Sequence, residues 1–118
     1  AYADIIGVLD EYVGREAGDA LRLPYSLGNS DEVISALKSG GFVEIDVAVK
    51  TEMARFPSSR QMVEAELRGW LPLLDICLTE DELESVLVES DRRLGKYAGD
   101  DGQAIFPTSA HIFTAQKR

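Results

Sequence analysis

The chain has one cysteine, one histidine and one tryptophan among 118 residues, and only 4 prolines. A single thiol, Cys77, can form no intramolecular disulfide, so a reducing cytoplasmic setting is expected. Cys77 lies in the apolar run 73–78, where a small buried hydrophobe is the expected role and a catalytic thiolate the alternative. No apolar stretch approaches the roughly 20 residues that a membrane helix needs, and the first residues are helical and acidic, unlike a signal peptide. With 10 glycines added to the prolines, turn-forming residues are too few for a collagen-like or low-complexity chain.

Positive charge is also scarce. Twelve Lys and Arg face 21 Asp and Glu, a formal net charge of -9 that repels phosphate backbones and anionic lipid, so neither nucleic acid nor a membrane surface is expected as a partner. The acid is uneven: residues 1–46 and 75–101 each carry nine carboxylates against three bases, whereas 47–74 has three against four. Positive potential is therefore local to the middle of the chain. What remains, 45% hydrophobic residues in 118, is enough for one domain, residues 1–118, with a core that needs no staples.

Helical spacing of Ile5, Ile6, Leu9 and Val13 predicts a helix over residues 2–13, ended or bent by Gly14, and a shorter one over 15–21. Pro24 and Gly28 disfavour regular structure in LRLPYSLGN. Asn29, with Glu32 three residues on, can cap a helix over 31–39, with Val33, Ile34 and Leu37 as its buried stripe and Gly40-Gly41 as its stop. FVEIDVAVKTEMARF then alternates, Ile45, Val47, Val49, Thr51 and Met53 against Glu44, Asp46, Lys50 and Glu52, predicting a long strand with one wet face. Two further boxes, Ser58-x-x-Gln61 and Thr79-x-x-Glu82, open helices over 59–67 and 79–96, joined by an apolar connector from Trp70. After the turn Asp100-Asp101-Gly102, a last strand spans about 104–116, interrupted near Pro107. The fold class is α+β, with two long strands and about five helices. Two strands make too small a sheet to stand alone, so their edges need a partner, either another copy or a missing part of the fold.

Three stretches, PYSLGNSDEVISALKSGGFVEIDV, ARFPSSRQMVEAELRGW and DDGQAIFPTSAHIFTAQKR, stand in an order and spacing that resembles the C-terminal half of class I S-adenosylmethionine-dependent methyltransferases of the small-molecule type. In that family a helix closing on Gly-Phe, here Gly41-Phe42, feeds the sixth strand of a Rossmann-like sheet. Helices follow, and the seventh strand returns antiparallel, ending in a pattern similar to His111-Ile112-Phe113-Thr114-Ala115-Gln116-Lys117. The family holds its cofactor with a glycine-rich loop after the first strand and an acidic residue ending the second. Neither has a match here, since Gly40-Gly41 follows a helix and Asp100-Asp101-Gly102 is a turn. The resemblance thus implies a natural or engineered segment of a longer enzyme. S-adenosylmethionine would be the cofactor of the full-length enzyme, and this chain alone would neither bind it nor transfer methyl groups. A non-catalytic α+β interaction or dimerisation domain is the alternative.

The resemblance further implies a small-molecule substrate pocket lined from residues after the fifth strand and around the sixth, pointing to Tyr2, Tyr25, Arg55, Phe56 and Trp70. The plainer alternative makes Tyr2, Phe56 and Trp70 core residues and Arg55 a solvated base. His111 is the only imidazole and so the only ordinary candidate for a base near neutral pH, or else a structural histidine in a strand. The acids Glu80, Asp81 and Glu82 are explained by helix capping, with no EF-hand spacing, and no metal is assigned. In the complete sheet the seventh strand lies between the fifth and sixth. One edge of residues 110–116 would then be open here, and a homodimer through that edge, or by exchange of an element, is expected.

Overall fold

A computed structural model describes all 118 residues. Five α-helices and two strands follow in the order α1 (Tyr2–Tyr12), α2 (Arg15–Arg22), α3 (Ser30–Ser39), β1 (Phe42–Phe56), α4 (Ser59–Ala65), α5 (Glu80–Leu94) and β2 (Ala104–Lys117). The two strands pair antiparallel as a two-stranded sheet, so the fold is α+β. The chain resolves into two compact units, one of Ala1–Leu23 with Ala54–Phe106, the other of Pro24–Met53 with Pro107–Arg118.

The helical unit holds the hydrophobic core. Ile5, Val8 and Leu9 of α1, Leu21 of α2, Met62 and Val63 of α4, and Leu83, Val86, Leu87 and Leu94 of α5 are all buried. These are the positions that a 3.6-residue period places on one stripe of each helix. A Cβ at Gly18 of α2 would lie 1.9 Å from the Asp10 carboxylate, which would have to move to admit it. That carboxylate pairs with Arg22. Arg93 of α5 reaches Glu11 of α1 at 2.6 Å and Glu89 at 2.8 Å, tying the two helices at the surface of the core.

Local signals set most helix starts. Thr79 and Glu82 form the full reciprocal capping box at the head of α5. Ser58 accepts from the Gln61 amide at 3.1 Å, and Asn29 accepts from the amide of Asp31, so at α3 the cap forms without Glu32. The expected helix over 59–67 is shorter: α4 stops at Ala65 and the chain continues as a π turn, Glu66–Trp70, and a 3-10 turn, Leu71–Leu74. Pro72 has no N–H to return to the carbonyl of residue 68, so an α-helical ladder cannot run through and the chain changes pitch. Leu67 is buried from the π turn and Leu71 from the 3-10 turn, so the apolar connector expected from Trp70 is helical in its first part.

The second unit is α3 with the greater part of the β1–β2 ribbon, and it contains no fully buried side chain. Gly41, at φ +86, supplies the left-handed turn from α3 into β1. Val33, Ile34 and Leu37 are half-buried and do not form a fully enclosed stripe. The strand was expected to have one wet face, but its apolar face is wet too: Val49 is 62% and Met53 51% exposed. β2 runs unbroken through Pro107, which a strand tolerates where the missing N–H faces away from its partner. Thr51 and Ser109 meet across the pair, hydroxyl to hydroxyl, at 2.9 Å.

Candidate functional site

The five candidate pocket residues do not converge on one cavity. In the helical unit, Tyr2 and Phe56 gather around Phe106. Tyr2 lies edge-on with ring centroids 6.0 Å apart, and Phe56 is stacked at 6.0 Å and 11°. Tyr97 adds a third ring at 5.8 Å, and Phe106 is only 2% exposed. Edge and offset-stacked contacts of this kind are the favoured geometry of a packed aromatic cluster. Trp70 packs against the core and donates its indole N–H to the Ala20 carbonyl at 2.8 Å, fixing the π turn to α2. Arg55 is exposed.

Tyr25 belongs to the other unit, where it does line a groove. An open, largely apolar groove of about 540 Å3 is walled by Tyr25, Leu27, Val33, Ser109, His111 and Phe113. Tyr25 ends a 3-10 turn, Leu23–Tyr25, that Pro24 sets up, and Leu27 projects 67% exposed from the loop that follows. From the strand side, His111 and Phe113 stand two residues apart and so share a face of β2, their rings edge-to-face at 6.0 Å. The lining thus combines a tyrosine, a histidine and a phenylalanine with the aliphatic side chains of Leu27 and Val33.

His111 and Tyr25 are site candidates in the sequence, whereas Phe113 stands there only as part of the strand pattern and Leu27 not at all. The signal for Phe113 was its i+2 relation to His111 in an alternating strand; Leu27, in an irregular loop, carried none.

Elsewhere, Cys77 is exposed, which corrects the expectation of a buried thiol. The run around it leaves the helical path after Leu74 and returns only at Glu80, so Cys77 lies on a connector. It borders a cleft of about 200 Å3 with Arg68. That guanidinium is engaged by Glu64 at 2.9 Å and by Glu80 at 3.7 Å. Glu66, in the π turn, is the one carboxyl raised above its ordinary range: burial disfavours its charge, against a smaller opposing effect of the Tyr2 hydroxyl that hydrogen-bonds it. No group of three His, Cys, Asp or Glu side chains is placed to hold a metal ion. No helix is long and apolar enough to cross a membrane.

Compared with known proteins, the chain matches no family model, no curated protein sequence and no solved structure.

Proposed function

We propose that this chain is the acceptor-side segment of an S-adenosylmethionine-dependent methyltransferase that modifies a small molecule in the cytoplasm. Its partners are that molecule and a second copy of the chain. The observation that carries the reading is the groove of Tyr25, His111 and Phe113, which lies within two of the three stretches that resemble the family. Methyl transfer asks little of the acceptor side beyond placement, because the sulfonium of the cofactor supplies the reactivity. A groove with aromatic walls and few polar groups meets that requirement. In the full-length enzyme the cofactor would be held by a half that this sequence does not match, so the chain alone is inactive. The uncovered apolar side chains Val49 and Met53 also suit the second reading, a non-catalytic interaction domain.

The test uses His111 as the only imidazole in the chain. Planar phenols and aromatic carboxylates are titrated in while the ring-proton resonances of His111 are followed, in the wild-type chain and in Tyr25→Ala. The acceptor reading expects at least one compound to shift these resonances saturably, and Tyr25→Ala to weaken that binding about tenfold. If no compound moves them up to millimolar concentration, the reading fails and the interaction domain is preferred.

A further inference from the structure

We propose that the outer edge of β1 is a homodimer interface, in which residues 45–51 of two copies pair antiparallel about a twofold axis at Ala48. The interface rests on the ribbon alone and stands whether or not the groove binds an acceptor.

β1 has 15 residues and β2 is its only strand neighbour, so one full edge of β1 offers unpaired N–H and C=O groups. Of the ribbon's two edges this is the more adhesive. Pro107 in β2 carries no N–H, and a proline inside a paired strand turns its nitrogen outward, so the outer edge of β2 is short of a donor there. β1 contains no proline. Its regular pleat is broken only at Glu44, which has φ +50, a left-handed value that interrupts pairing as a bulge does. Pairing along this edge therefore begins at Ile45.

The charges select the register. Antiparallel pairing about a twofold axis matches each residue i with a residue j of the partner such that i and j share a face. Centred on Ala48, Asp46 faces the partner's Lys50, twice by symmetry, and no like charges meet within 45–51. On the opposite face Val47 meets the partner's Val49 and Ile45 meets the partner's Thr51. These pairs give neighbours to Val47 and Val49, which are 40% and 62% exposed in the single chain. Shifting the centre to 46 or 50 sets Asp46 or Lys50 against itself, and a centre at 49 sets Asp46 against Glu52. A centre at 47 brings Lys50 to Glu44, where the pleat is broken. Opposite charges directly across a pair stabilise and like charges destabilise, so the Ala48 register is the complementary one.

Sedimentation velocity on the intact chain, from 1 to 300 μM, measures the association, and far-UV circular dichroism confirms the fold of each variant. The wild-type chain should show a concentration-dependent species of twice 12.9 kDa. Lys50→Glu, at an exposed position, should weaken dimerisation at least tenfold, and Asp46→Lys combined with Lys50→Asp should restore it. In a Cys77→Ser background, Ala48→Cys should give a disulfide-linked dimer on mild oxidation, because Ala48 lies opposite its own copy. A chain monomeric at every concentration overturns the proposal. So does a dimer that Lys50→Glu weakens less than tenfold, or one that Ala48→Cys does not cross-link.

Discussion

Replacing Phe106 by Ala separates the two accounts of Tyr2 and Phe56. Phe106 is 2% exposed and touches three rings, those of Tyr2, Phe56 and Tyr97, at centroid distances of 5.8 to 6.0 Å. Burial of a phenylalanine of this kind is worth about 3 to 5 kcal/mol against alanine, including the cavity left behind. A domain of this length has a total stability of about 6 to 18 kcal/mol, so the loss is a large share of it. Urea unfolding followed by the fluorescence of Trp70, the only tryptophan, is the natural assay. With a denaturant slope of about 1.5 kcal/mol per M, the midpoint should fall by about 2 to 3 M. Phe113→Ala, on the half-buried wall of the groove, should move the midpoint by less than about 1 M. A Phe106→Ala shift below about 0.5 M would refute the view that this cluster is packed core, and would return Tyr2 and Phe56 to the pocket.

Three other perturbations have expected signs. Ser90 in α5 is 1% exposed with a hydroxyl that has no hydrogen-bond partner, so Ser90→Ala should raise stability by about 1 kcal/mol, seen as a higher melting temperature. Hydrogen bonds from Arg92 and then Arg93 pull the Glu89 carboxyl down from 4.5 to about 2. A depressed acid contributes stability that is complete above its unfolded value and is lost as pH falls from about 4.5 through 2. Glu89→Gln should flatten the acid limb of a melting-temperature profile across that window, and an unchanged limb would contradict the pairing. Glu66 has the opposite sign. Its carboxyl is raised by burial, so its ionisation opposes folding as pH rises above 4.5, and Glu66→Gln should help stability more at pH 7 than at pH 4.

The parts of the fold that the sequence discloses are those decided within a few residues. The Thr79 to Glu82 box, the stop at Gly40-Gly41 and the alternation of residues 42–56 each depend on near neighbours, and each appears where its pattern stands. The π turn at Glu66–Trp70 is tied to α2 by the indole bond to Ala20, a partner 50 residues away, and no local pattern discloses that contact. The exposure of Cys77 was hidden for a similar reason: an apolar run reads as buried, yet it falls where the chain passes between two helical segments. Of the candidate site, Tyr25 and His111 were visible as residues but not as neighbours, because the fold, and no spacing, brings the loop after Leu23 to β2. The exposure of Val49 and Met53 was likewise out of reach, since alternation tells which side chains share a face and not whether anything covers it.

The central claim is that the chain carries an acceptor groove without the means to hold a methyl donor. Isothermal titration of S-adenosylmethionine into the 118-residue chain tests it most directly. The account expects no saturable heat up to millimolar donor; one-to-one binding with a micromolar dissociation constant would contradict it.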